Sequence, residues 1–295
     1  MRHLGCAGRA LPYNVRGRGR LTLALTSLLL KSGADPIVHC DMAAGHRLRL
    51  DCRIPSHCWI FFTGRYDDGK RSALLSLLRP GGAVLDVGAN IGFYTIPMAI
   101  KAKAVGSRVV AVEPLARNAE WLRYNLALNG CDDVTEVLEV ALGDQCGQGE
   151  IILTEDFLGG GVVGTAVIGS RKIYGPKYPG AMIQLDTLDR IWRDKRPIDI
   201  IKIDIEGHET KFLEGGRKTI TAHRPVLLIE FCRDHQKMRE IDFASAVPSL
   251  LPERYIFAEL RTNGFVQIDN LEECADADFL AIPEERRHEI EWRSR

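Results

Sequence analysis

Asp86, Gly88, Asn90 and Gly92 fall in the run Val84-Leu85-Asp86-Val87-Gly88-Ala89-Asn90-Ile91-Gly92, where a short apolar segment gives way to a turn. Glycines at such a turn let the backbone pass close to a ligand with no side chain in the way. In doubly wound folds the first strand hands over to the first helix at this point, and nucleotides bind there. Glu113 follows 25 residues after Gly88, at the end of the next apolar run. That offset suits a carboxylate accepting hydrogen bonds from both hydroxyls of a ribose.

Two features separate the ligand from a dinucleotide. The dinucleotide fingerprint is G-x-G-x-x-G, whereas Asn90 stands here where close approach to a pyrophosphate would demand glycine. Asp86 also brings a negative charge, which repels a pyrophosphate and attracts a sulfonium or an ammonium. The turn, with Asp86, Gly88, Ala89, Asn90, Gly92 and Glu113, is therefore expected to bind S-adenosyl-L-methionine. A nicotinamide cofactor is the competing reading, and a glycine turn serving geometry alone is the plainer one. Further on, Val140-Ala141-Leu142-Gly143-Asp144 would lie beside the adenine, with Ala141 in the cofactor site, Leu142 against the ring and Asp144 or a backbone group near the exocyclic amine.

A second constellation follows Ile200-Ile201-Lys202-Ile203. Asp204, Glu206, His208 and Glu209 come within a few residues, and Glu230 ends the next apolar run. Methyl transfer to an alcohol needs an oxygen held in line with the methyl group and a base within reach of its proton. Asp204 is the first candidate to contact that hydroxyl. His208 is the second, since imidazole titrates near neutrality. Asp204, Glu206 and Glu230 together could instead bind a divalent ion such as magnesium, though none is required by the pattern. Glu209 could simply complement the dipole of a helix start, and His208 could bond a carbonyl. Lys202, set among apolar residues, is expected to pair with one of these acids.

These side chains need a scaffold that brings strand ends together. Ala83–Val87, Arg108–Val112, Val134–Ala141, Ile198–Ile203 and Val226–Ile229 are short apolar runs alternating with helical patterns. That alternation predicts an α/β fold, a doubly wound and mostly parallel sheet with helices on both faces. Helices are expected over about 69–79, 93–105 and 116–128, and Arg254–Ala258 with Phe279–Ile282 form a closing antiparallel pair. Three regions follow: 1–40, a basic and apolar leader or N-terminal helix; 41–80, an accessory strand and helix; and 81–290, the ligand-binding domain. The glycine-rich stretch 154–182 is long enough to be an acceptor-facing loop.

The motifs taken together resemble the FkbM family of methyltransferases. The resemblance rests on Asp86-Val87-Gly88-Ala89-Asn90-Ile91-Gly92-Phe93-Tyr94-Thr95, Val112-Glu113-Pro114, Leu188-Asp189 and Ile201-Lys202-Ile203-Asp204-Ile205-Glu206-Gly207-His208-Glu209. It implies a Rossmann-like class I methyltransferase fold, with a seven-stranded sheet whose last strand is antiparallel. It also implies methyl transfer from S-adenosylmethionine to a hydroxyl of a sugar, glycan or secondary metabolite. Members carry a tyrosine and then a glutamate ahead of the glycine motif. Here Tyr66 is followed by the shorter Asp67, and Tyr66 is carried over to the cofactor site.

Composition limits the alternatives. The 295 residues carry 39 basic and 39 acidic side chains, so there is no net charge to recruit nucleic acid or an anionic membrane. A small-molecule or glycan acceptor fits better. The run Leu21–Leu30 is too short to span a bilayer, so no stable membrane insertion is expected, and the adenosylmethionine pool points to the cytoplasm. The eight cysteines include no C-x-x-C pair, which argues against a zinc site. A nicotinamide-dependent oxidoreductase, and a non-catalytic protein that keeps the cofactor fold, remain as alternatives.

Overall fold

This computed structural model describes residues 18–153, 166–168, 179–193, 196–231, 241–261, 264–273 and 278–292. The chain opens with helix α1 (Arg18–Lys31), the hairpin β1 (Ile37–Asp41) and β2 (Arg47–Asp51), and helices α2 (Pro55–Thr63) and α3 (Asp68–Ser76). Then come β3 (Ala83–Val87), α4 (Thr95–Val105), β4 (Arg108–Val112), α5 (Ala116–Leu128), β5 (Thr135–Leu138) and β6 (Ala141–Leu142). After these lie β7 (Gly147–Leu153), β8 (Ala166–Ile168), β9 (Gly180–Asp186), α6 (Leu188–Ile191) and β10 (Ile198–Ile203). The described chain closes with α7 (Glu209–Gly215), α8 (Arg217–His223), β11 (Val226–Ile229), α9 (Phe243–Leu250), β12 (Tyr255–Arg261), β13 (Gly264–Ile268) and β14 (Phe279–Pro283).

Apolar runs with no polar face make buried central strands, because both faces of a parallel sheet are covered by helices. Every residue of β3, β10 and β11 is buried. The main sheet has eight strands in the order β13-β12-β14-β11-β10-β3-β4-β5. From β5 to β11 the pairs are parallel, while β14 is antiparallel to both β11 and β12. This is the class I methyltransferase architecture. The order reverses at β3, whose neighbours are β4 and the much later β10, and that reversal opens the crevice where ligands bind in such sheets.

Two local differences from expectation have simple causes. The run Val134–Ala141 is not one strand: β4 ends at Val112 opposite Leu138, so beyond Leu138 there is no partner. The chain then crosses to a four-stranded sheet, where Ala141 and Leu142 pair with Leu185 and Asp186. Beyond the seven expected strands, β13 adds an eighth, folding back on β12 with Arg261 opposite Gly264.

The N-terminal segment shares its core with the sheet. Leu48, Leu50, Ile60 and Phe61 pack in one cluster with Val84 and Ile200. Asn125 of α5 joins the hairpin to the glycine turn: it accepts from the Arg49 amide at 2.7 Å and donates to the Ile91 carbonyl at 2.9 Å. Most of 154–182 lies outside the described residues, as do the leader up to residue 17 and Cys232 and Cys274. Among the described residues no helix is long and apolar enough to cross a membrane.

Candidate functional site

The C-terminal ends of β3, β4, β10 and β11 border a cavity of about 470 Å³. One wall is the glycine turn, with Gly88, Ala89 and Asn90, continuing to Glu113 after β4. The far end holds Asp204, Glu206 and Glu230, and Pro55, Ser56 and His57 of α2 line the cavity together with Tyr66.

The turn owes its shape to the strands beneath it. The amides of Gly88 and Ala89 both donate to the Val112 carbonyl at 3.0 Å. Gly88 has φ +80°, and a Cβ there would lie 1.8 Å from the Asp204 carbonyl oxygen. Its glycine is therefore demanded by the neighbouring chain as much as by any ligand. Asn90 also adopts a left-handed backbone, at φ 49°, which asparagine tolerates better than most side chains. Its amide donates to Glu113 Oε2 at 2.9 Å, while Glu113 Oε1 accepts from the Leu115 amide at 3.1 Å. Burial nevertheless pushes the Glu113 carboxyl up to about 7, against the pull of these donors towards ionisation.

Asp86 and Lys202 are register partners on adjacent strands and face each other across β3 and β10. Thr95 Oγ1 donates to Asp86 Oδ2 at 2.6 Å, and Lys202 Nζ lies 3.7 Å from Asp86 Oδ1. Lys202 also donates to Asp204 Oδ2 at 2.8 Å, so the pairing expected of it is present. Its pKa is raised: burial alone would lower it, but Asp204 and Asp86 outweigh that.

At the far end, carboxylate oxygens of Asp204, Glu206 and Glu230 lie within 4.8 Å of one another. Like charges this close do not all ionise. Burial opposes ionisation of Asp204, but Lys202 and a hydrogen bond from Glu230 hold its carboxyl below the usual range. Glu230 is pushed up to about 11 by burial and by Asp204, and so keeps the proton the pair shares. Glu206 is pushed up to about 8, first by burial and then by Asp204.

These shifts set a pH dependence of stability. A carboxyl whose folded pKa is raised contributes stability that is complete below its unfolded value and is lost as pH rises through the folded one. His46 and His57, both lowered to about 4 by burial, act in the opposite direction but only up to their unfolded value of 6.5. From about pH 7 to about pH 9 the ligand-free protein should therefore lose stability, by up to roughly 1.4 kcal/mol per unit for each carboxyl still protonated. Thermal unfolding across that range, with Glu206→Gln, checks this. The variant should show a shallower decline, and an identical slope would contradict the assignment to Glu206.

Not every expected residue reaches the cavity. Asp86, Gly88, Ala89, Asn90, Glu113, Tyr66, Asp204, Glu206 and Glu230 border it, whereas Gly92, Ala141, Leu142, Asp144 and His208 are not among its lining residues. Leu142 packs in the core with Leu188 and Phe212, Asp144 pairs with Lys211 at 3.1 Å, and His208 lies against Gly143. Glu209 accepts from the amides of Ile205 and Gly207 and so fixes the turn that carries Glu206. Asp189 likewise accepts from the Lys218 and Thr219 amides at the start of α8. Two lining groups that the sequence did not single out are His57 and Phe93. Phe93 stood inside the quoted motif, and His57 announces itself only as a histidine ahead of an apolar run.

The sequence profile described as the methyltransferase FkbM domain matches residues 86–265, more than half of the chain. The chain belongs to the FkbM methyltransferase family. A curated relative from Jannaschia sp. (strain CCS1), itself assigned only by description as a methyltransferase, is 28% identical over 159 residues, 49% of this chain and 54% of its own length. The chain thus spans about half the length of that relative. Among solved structures, methyltransferase FkbM from Methylobacillus flagellatus KT is similar with a TM-score of 0.44 at 16% identity, covering 90% of this chain and 59% of that one. An O-methyltransferase from Bacillus cereus, solved in complex with SAH, gives a TM-score of 0.42 at 15% identity and covers 93% of each chain. The FkbM match begins at Asp86, so the wall formed by His57 and Tyr66 comes from outside the matched segment.

Proposed function

We propose that this FkbM-family chain is an S-adenosylmethionine-dependent O-methyltransferase acting on a hydroxyl of a sugar, glycan or secondary metabolite. The observation that carries this reading is a single cavity with Glu113 and the Asn90 amide at one end and three clustered carboxyls at the other. Glu113 keeps acceptor capacity beyond its backbone bonds and would receive both ribose hydroxyls. Asp86 supplies negative charge where a sulfonium and an ammonium would lie. When bound, the donor supplies a methyl group activated for displacement by an oxygen nucleophile.

The chain's part is to hold that oxygen and remove its proton. Asp204, kept ionised beside Lys202, would accept the hydrogen bond of the acceptor hydroxyl and so orient it. Glu206, pushed up to about 8, becomes a base for the released proton as pH rises towards that value. The three carboxyls are close enough to hold a hard cation. Lys202 and the proton shared by Asp204 and Glu230 already place positive charge there, and the proposed reaction uses those. Next to this end, a smaller cavity of about 160 Å³ is bordered by Tyr66, Asp67, Lys70, Tyr94 and Asp278, with Lys70 Nζ 2.7 Å from Asp278 Oδ2. Its many donors and acceptors suit a hydroxyl-rich acceptor better than an apolar one. Balanced overall charge favours such a neutral acceptor over nucleic acid.

Isothermal titration with S-adenosylmethionine, S-adenosylhomocysteine and NAD tests the donor. Both sulfur ligands should bind and NAD should not, and Glu113→Ala should weaken binding roughly 10- to 100-fold, as loss of hydrogen bonds to a charged group does. Binding of NAD instead would move the chain to the oxidoreductase alternative. A folded sample that binds none of them would leave only the non-catalytic reading.

A further inference from the structure

His57 is completely buried, yet it borders the same cavity as Asp86 and Glu113. Its ring has one committed nitrogen: Nδ1 accepts from the Asp51 backbone amide at 3.2 Å. An imidazole that accepts at Nδ1 carries its proton at Nε2 when neutral. Burial keeps it neutral, lowering its pKa to about 4. Among the described residues Nε2 has no hydrogen-bond partner. A buried donor left without an acceptor is costly, and native structures rarely retain one with no use.

The charge of the cavity indicates what the donor is for. Its other ionisable border groups are the carboxyls of Asp86, Glu113, Asp204, Glu206 and Glu230, the phenols of Tyr66 and Tyr94, the second of which donates to Asp67 at 3.3 Å, and Lys202, which Asp204 already engages at 2.8 Å. A ligand ammonium would find several acceptors there, whereas a ligand carboxylate needs a donor that is not already committed, and Lys202 is held by the charged Asp204. A neutral N–H can receive a carboxylate without adding a second buried cation. The ring sits edge-on to Phe93, 5.4 Å between centroids, and Phe93 stacks on Tyr66 at 4.6 Å. His57 is thereby fixed to an aromatic wall whose central ring, Phe93, directly follows the glycine turn.

We propose that His57 donates its Nε2 proton in a hydrogen bond to the carboxylate of the methionyl part of the bound donor. This rests on the methyl-donor reading above and adds to it the residue that recognises the ligand's amino-acid end. It also gives the N-terminal segment, which lies outside the family match, a part in selecting the ligand.

Two substitutions separate the two ring nitrogens. His57→Asn keeps an acceptor near Nδ1 for the Asp51 amide and removes the Nε2 donor. His57→Gln places an amide N–H near the Nε2 position. Each variant and the wild type would be titrated with S-adenosylhomocysteine and with its decarboxylated analogue, which retains adenosine, sulfur and amine. The wild type should prefer S-adenosylhomocysteine by roughly 10- to 100-fold, His57→Asn should lose that preference, and His57→Gln should recover part of it. If His57→Asn weakens both ligands equally, or neither, the inference is overturned while the donor reading stands. If the folded wild type binds neither ligand, the donor reading fails and takes the inference with it.

Discussion

Asp204→Asn is expected to cut methyl transfer roughly 100- to 10,000-fold, the range in which a positioned acid–base group usually contributes. Binding of S-adenosylhomocysteine should stay within about threefold of wild type, since an interaction made with the acceptor does not enter donor affinity. The substitution keeps the side chain's size and its power to accept a hydrogen bond. It removes the charge that Lys202 balances and that drives Glu230 to hold its proton. Lys202 retains Asp86 at 3.7 Å, so the strand pair should remain folded. The measurement is turnover of an acceptor found by screening hydroxylated compounds, beside donor titration. Turnover above a tenth of wild type would remove Asp204 from the chemistry, and parallel loss of donor affinity would make it a binding residue instead.

Gly88→Ala should be the most damaging small substitution in the sheet. Left-handed backbone strain and a contact of 1.8 Å with a main-chain oxygen act together, and that oxygen belongs to the chain immediately after β10. Strain and overpacking each cost roughly 1–3 kcal/mol, which is a large share of a typical folding free energy. Gly106 separates the two effects: its φ is +68°, but a Cβ there would meet nothing within 4 Å. Gly106→Ala should therefore lower the melting temperature by only a few degrees, and Gly88→Ala by about 10 °C or more. Equal losses for the two would show that the close approach to Asp204 is not the deciding contact.

Much of the candidate site is legible in the sequence, because its residues come from strand ends that apolar runs mark clearly. Gly88, Glu113, Asp204 and Glu230 all follow such runs, Asp86 lies within one, and a doubly wound sheet gathers those ends on one edge. What escaped has physical reasons. The segment holding Trp59, Ile60, Phe61 and Phe62 shows no helical periodicity because α2 is buried on nearly every side, so no polar face alternates with an apolar one. His57 was silent because its importance depends on the Asp51 amide, supplied by a hairpin whose docking no local pattern records. The strand expected over Val134–Ala141 broke where its partner ended, a tertiary limit rather than a propensity. For β13, the Asn263-Gly264 pair was a usable hairpin signal. His208 looked chemical by residue type, yet its place beside Gly143 follows from the turn that Glu209 fixes.

The position of β14 affects how the chain must be made. It is the last strand among the described residues, yet it sits inside the sheet between β11 and β12. Without β14, the β12–β13 hairpin lacks the strand that joins it to β11, and β11 is left with an unpaired apolar edge of Val226, Leu227, Leu228 and Ile229. Such an edge is a template for pairing with other chains until Phe279 to Ala281 arrive to cover it. A nascent chain stalled or cut before Phe279 would thus carry most of the cavity and an open, sticky border, which makes it a natural client for chaperones that shield bare strands.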